Sequence, residues 1–128
     1  MDPISLFDIA NKQADWLAAR QKAVASNVAN ANTPGYKARD VQAFGDVLNN
    51  NTFAMTVTNS KHMDVTDNGM EAHDMRPKDT IETTHSGNNV NLEDEMRKGG
   101  EIGQDMSLNT VIVKAFHRMM MAAVKGGA

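Results

Sequence analysis

"NVANANTPGYKARD", residues 27–40, decides how the chain is read. An alanine- and valine-rich stretch that suits a helix stops here at Thr33-Pro34-Gly35-Tyr36. Pro34 cannot continue a helix and biases Thr33 toward extended geometry. Proline followed by glycine at the centre of a four-residue turn predicts type II, with Gly35 at positive φ. Asn27, Asn30 and Asn32 stand just ahead of the turn. Side-chain amides there can bond turn backbone or the last carbonyls of a helix. The stretch therefore predicts a polar, rigid exit from a long helix upstream.

That upstream segment has the pattern such a helix needs. Asp2 suits a helix cap and Pro3 a first turn. Alternating steps of three and four residues pass through Phe7, Ala10, Ala14, Leu17, Gln21, Val24, Val28 and Ala31, seven of eight apolar. This predicts a coiled-coil helix over 1–32, about 45 Å long at ~1.5 Å per residue. A second helix is predicted over 92–128. Asn91 caps it, Glu93, Asp94 and Glu95 fill its first turn, and Lys114, Arg118 and Lys125 lie toward its end, complementing the helix dipole. Gly99, Gly100 and Gly103 each cost about 1 kcal/mol relative to alanine. They predict a kink, a loose stretch or close contact with a neighbouring backbone.

Residues 33–91 differ in kind. Phe53, Met55 and Val57 alternate with Ala54, Thr56 and Thr58, which predicts a short strand. Asp67-Asn68-Gly69 and Ser86-Gly87-Asn88-Asn89 predict turns. The expected fold class is mainly α. Long N- and C-terminal helices (1–32 and 92–128) pair as an antiparallel coiled coil, and a polar middle insert (33–91) holds loops and short β-strands.

Composition narrows the functions open to such a chain. It has 128 residues, enough for one ordinary domain, with 41% hydrophobic residues and a net charge of −3. Residues 41–91 carry seven acids against three bases, and no basic block occurs anywhere, so no nucleic-acid partner is expected. The absence of cysteine excludes disulfides and thiolate metal sites. No Sec-type signal peptide and no membrane span are expected. His62, His73, His85 and His117 share no metal-ligand spacing. Asp64–Gly69 lacks the alternating oxygens of a calcium loop. Glu93, Asp94 and Glu95 point in different directions on a helix, and dipole complementation accounts for them. No catalytic residue, metal site, cofactor or small-molecule substrate is expected.

The apolar surplus points to assembly. Between Leu108 and Val124, twelve of seventeen residues are apolar. One partner helix covers a narrower seam than that. Val111, Ile112, Phe116, Met119, Met120 and Met121 would stay largely wet, and a patch of that size marks an interaction surface. Two other classes compete with a self-assembling subunit. One is a coiled-coil adaptor or secreted interaction protein that binds a partner helix. The other is a small hydrolase using a histidine and a carboxylate, for which no nucleophile presents itself.

The complete stretch "SNVANANTPGYKARD" resembles the N-terminal signature of the flagellar basal-body rod protein family. Asn27, Asn30, Thr33, Pro34, Gly35 and Tyr36 match its Asn-x-x-Asn-x-x-Thr-Pro-Gly-Tyr pattern, which recurs in rod, hook and hook-associated axial proteins. "KHMDVT" (61–66) resembles a histidine-containing stretch of the smallest rod subunits. "GNNVNLEDEM" (87–96) resembles the family's lead into the C-terminal helix. Relatives often continue with Met-Ala-Glu-Asn and a later tyrosine, where this chain has Gly99, Gly100, Glu101, Ile102 and Met106. The resemblance implies helices paired in the inner layer of a hollow tube and export through the flagellar type III apparatus without signal cleavage. It implies a periplasmic, torque-transmitting rod in the basal body. The implied partners are other copies of the chain, other rod and axial proteins, membrane-ring or adaptor proteins at the rod base, and the export apparatus. On this reading Asn27–Tyr36 form the assembly motif. Phe7, Leu17, Val24, Val28, Val113, Phe116 and Met120 pack helices and subunits.

Overall fold

The computed structural model describes residues 3–49, 73–74 and 83–126. Three helices and one short ladder follow in the order α1 (Pro3–Ala29), β1 (Arg39–Asp40), α2 (Phe44–Asn49), β2 (His73–Asp74) and α3 (Leu92–Gly126). The strand expected around Phe53–Thr58, the turn at Asp67–Gly69 and the stretch 61–66 lie outside the described residues.

α1 stops three residues short of the predicted boundary. Asn30 N donates to both Ser26 O (3.1 Å) and Asn27 O (3.2 Å), and Ala31 N donates to Val28 O (3.3 Å). The last turn thus tightens into the three-residue spacing common at helix ends, and the chain leaves the helix before Asn32. α3 begins as predicted. Asn91 Oδ1 accepts from the backbone N–H of Glu93 (3.0 Å) and Asp94 (3.3 Å), which caps the helix.

α3 then runs as one helix through Gly99, Gly100 and Gly103, without the close contact to a neighbouring backbone that was one expectation for them. A Cβ at any of the three would meet nothing within 4 Å. The flanking residues hold the helix instead. Lys98 and Ile102 are buried, and Arg97 bridges Asp94 (2.6 Å) and Glu101 along the exposed face. These contacts outweigh about 1 kcal/mol of helix propensity lost per glycine.

The two long helices meet in a fixed order. Phe7 packs edge-on against Phe116, with ring centroids 5.5 Å apart. Asn109 Nδ2 donates to Ala10 O (2.9 Å), and Asn27 Nδ2 donates to Glu95 Oε2 (3.0 Å). Later residues of α1 therefore meet earlier residues of α3. Leu17 and Ile102 are buried between these contacts and share a core cluster with Trp16 and Val47. Full burial of Leu17 contributes about 1.5–3 kcal/mol.

The seam on α1 is wider than the heptad reading implies. Trp16, Ala23 and Asn27 are buried one position to the side of Leu17, Val24 and Val28. The chain after the turn folds back along that flank. Trp16 Nε1 donates to Gln42 O (2.7 Å), and the Trp16 and Phe44 rings lie 5.6 Å apart. Phe44 and Val47, one helical turn apart on α2, close this side of the core. Arg20 covers the Trp16 ring (5.5 Å) and reaches Asp40 (3.4 Å). β1 pairs antiparallel with β2, Arg39 opposite Asp74 and Asp40 opposite His73.

Candidate functional site

The exit from α1 is built as a hydrogen-bonded junction. Tyr36 N donates to Thr33 O (3.2 Å), which closes the turn across Pro34 and Gly35. Gly35 has φ +73°, as type II geometry requires. Nothing lies within 4 Å of a Cβ placed there, so Gly35→Ala tests conformation alone. The substitution is expected to cost about 1–2 kcal/mol. It should lower the Tm by several degrees in a thermal melt followed by circular dichroism.

Asn27 is the centre of the junction and is 0% exposed. Its Nδ2 donates to Arg39 O (2.7 Å), and its Oδ1 accepts from Arg39 N (2.9 Å). One side-chain amide thus takes both backbone groups of a residue in β1, as a neighbouring strand would. The second Nδ2 hydrogen reaches Glu95 Oε2 on α3, and Tyr36 Oη donates to Asn27 Oδ1 (3.3 Å). A single asparagine therefore joins α1, the turn, β1 and α3. Asn30 acts locally: its Nδ2 donates to Ser26 O (2.8 Å), and Thr33 Oγ1 donates to Asn30 Oδ1 (3.2 Å).

The loop before α3 clasps the same turn. Asn88 Nδ2 lies 2.8–3.0 Å from the carbonyls of Asn30, Ala31 and Thr33, in the turn that follows α1. Asn89 Oδ1 accepts from Ala38 N (2.6 Å), and Gly35 N donates to Ser86 O (2.9 Å). Gly87, at φ +83°, approaches Gly35 with only 3.6 Å between its would-be Cβ and the Gly35 Cα.

Charge is buried beneath this clasp. Lys98 Nζ lies 3.1 Å from Glu95, 3.4 Å from Asp94 and 3.5 Å from Asp40. Burial alone would depress the Lys98 pKa. The hydrogen bond and charge of Glu95, with the charges of Asp40 and Asp94, outweigh burial and raise the pKa above its ordinary value. The Arg97 hydrogen bond, against partial burial, holds Asp94 below the usual carboxylate range. The signs follow by linkage. A raised lysine stabilises fully below its unfolded pKa of about 10.4 and is lost as pH rises through the folded value. A depressed aspartate stabilises above about pH 3.9 and is lost as pH falls through its folded value. Urea midpoints are therefore expected to stay level near neutrality and fall above about pH 10, and Lys98→Met should remove that alkaline fall.

The sequence-derived residues fall into two groups. Asn27, Asn30, Thr33, Pro34, Gly35 and Tyr36 all belong to the junction. Phe7 and Phe116 meet, Leu17 is fully buried, and Val24 is half-buried against the core. Val113 is half-buried. Val28 and Met120 are 43% and 40% exposed, so within one chain neither holds the helices together. Asn88, Asn89, Glu95, Lys98 and Asn109 carry the junction and the helix contact without standing out in the sequence. The three-acid run at 93–95 conceals two roles. Glu95 is 2% exposed and bonded to Asn27 and Lys98, so dipole complementation is not its main work.

The segment that builds this exit is what a protein-family model recognises: "Flagella basal body rod protein" matches residues 16–37. The chain belongs to the flagellar basal-body rod protein family, and it is a structural rod subunit rather than an enzyme. Its relatives carry the name Flagellar basal body rod protein FlgB. The protein of that name from Agrobacterium fabrum is 42% identical over 98% of this chain and 96% of its own length. The one from Salmonella typhimurium is 25% identical over 86% of each. The one from Buchnera aphidicola is 36% identical over 48% of this chain and 51% of its own length.

Proposed function

We propose that the chain polymerises through its terminal helices, paired as an antiparallel coiled coil, into the hollow axial tube that transmits torque in the proximal rod. The observation that carries this reading is the C-terminal half of α3. Leu108, Val111, Ile112, Met119, Met121 and Val124 are all exposed in the single chain. Apolar surface of that extent on one helix finds cover from neighbouring subunits. Val28 and Met120 belong to that intersubunit surface, while Phe7, Leu17, Val24, Val113 and Phe116 hold each subunit's own helix pair. The Asn27–Tyr36 junction fixes where the middle insert (33–91) leaves the helical layer.

The partners on this reading are other copies, other rod and axial proteins, and membrane-ring or adaptor proteins at the rod base. The type III apparatus delivers the chain to the periplasmic rod without a cleaved signal. Phe116→Asp tests the reading in cells. It breaks the Phe7 contact and charges the apolar half of α3, so the expected strain makes the subunit but lacks rods and is non-motile. Electron microscopy of purified basal bodies checks this directly. Normal rods in that strain, or recovery of the wild-type chain only in a small discrete complex, would transfer the chain to the adaptor class.

A further inference from the structure

The end of α3 concentrates sulfur. The chain has ten methionines and no cysteine, so thioethers are its only oxidisable sulfur. Met119, Met120 and Met121 are consecutive and are 60%, 40% and 47% exposed. At about 100° per residue they point to three sides of the helix and together span roughly 200° of its circumference. The arc they leave includes Lys114, Arg118 and Lys125, which disfavours apolar cover there. A neighbour that covers this part of α3 therefore meets a thioether on nearly any apolar line of approach. Met106, by contrast, is half-buried against the core cluster of Leu17 and Ile102.

The chemistry of that position is specific. A thioether is soft and apolar, whereas its sulfoxide is polar and chiral. With hydrogen peroxide, a sulfur lone pair attacks one oxygen and the O–O bond breaks as the S–O bond forms. The transferred oxygen gives up its proton to the departing hydroxide, which leaves as water. Sulfur loses two electrons and the peroxide gains them. A sulfoxide oxygen then has to find a hydrogen-bond donor or stay in water, so it opposes burial.

We propose that Met119, Met120 and Met121 form an oxidation site through which a peroxide-class oxidant keeps the free subunit from associating with its neighbours, whichever side of α3 they cover. This rests on the self-assembly reading above and adds a chemical control to it. The control is reversible, because methionine sulfoxide is returned to the thioether by reductases, one for each epimer.

Sedimentation velocity tests the site. Untreated wild type is expected to self-associate with rising concentration. After brief hydrogen peroxide treatment, with sulfoxide at the three positions verified by peptide mass spectrometry, association should weaken at least about tenfold. Thermal melts of the dilute chain should not change, since the three side chains lie outside the core cluster. Treatment with both sulfoxide reductases and dithiothreitol should restore association. A variant carrying Met119→Leu, Met120→Leu and Met121→Leu keeps side-chain volume and helix propensity and should associate equally before and after peroxide. Met96→Leu, at a site 75% exposed on the charged first half of α3, should remain as sensitive as the wild type. Undiminished association of wild type carrying all three sulfoxides, or an equal loss in the triple variant, would overturn the oxidation site and leave self-assembly standing. An untreated wild type that stays monomeric up to about 1 mM would remove both.

Discussion

Leu17→Asp is expected to abolish the folded helix pair and, in cells, the rod. Leu17 is 0% exposed and packs in a cluster with Trp16, Val47 and Ile102. Truncating such a leucine to alanine costs about 2–5 kcal/mol through lost transfer energy and the cavity left behind. Aspartate adds a carboxylate with no hydrogen-bond donor waiting in an apolar pocket, which costs several kcal/mol more or forces the group to stay protonated. A domain of this size has only about 5–15 kcal/mol in hand. Far-ultraviolet circular dichroism should therefore show most helix signal lost at neutral pH, and the strain should be non-motile. Leu17→Met, which conserves volume, is expected to cost under about 1.5 kcal/mol and to leave motility intact. A fully folded Leu17→Asp chain would mean that the cluster is not the core.

Asn27→Leu is the second large effect, expected at about 3–5 kcal/mol and measured by urea denaturation. Leucine has nearly the same shape but offers no polar atoms. Arg39 N–H, Arg39 C=O and Glu95 Oε2 would each lose their Asn27 partner. Each buried group left without a hydrogen bond costs about 1–3 kcal/mol, more where the group is charged. Asn27→Asp separates shape from charge. It keeps the acceptor for Arg39 N–H but places a carboxylate beside Glu95 and Arg39 O. The buried acid's pKa is then raised, so the variant is penalised at neutral pH and recovers as pH falls through that raised value toward the ordinary carboxylate value of about 3.9. Equal stability of Asn27→Asp and wild type at pH 7 would contradict the junction as described.

The two effects differ in how readily the sequence announces them. Leu17 lies on a seam that periodicity finds directly. Asn27 is conspicuous as one of three asparagines ahead of Pro34, but nothing in the sequence separates it from Asn30, which only caps α1, or from Asn32, which is exposed. Glu95 is similarly hidden among three consecutive acids. Its burial depends on Asn27, 68 residues away in sequence. Gly99, Gly100 and Gly103 do not interrupt α3. Their propensity cost is real, but the packing of Lys98 and Ile102 on one face outweighs it.

The sequence alone determined the two long helices, the turn at Pro34-Gly35, the cap at Asn91 and the mainly α fold class. Each follows from side-chain period or backbone chemistry within a few residues, and such local preferences act before any distant contact forms. Tertiary structure alone decided which asparagine is buried, which acid of the 93–95 run is paired, and where the seam widens onto Trp16 and Ala23. Those outcomes depend on the return of residues 38–47 and on α3 meeting α1 in reverse order. A polar group's value inside a protein is set by the partner that packing brings to it.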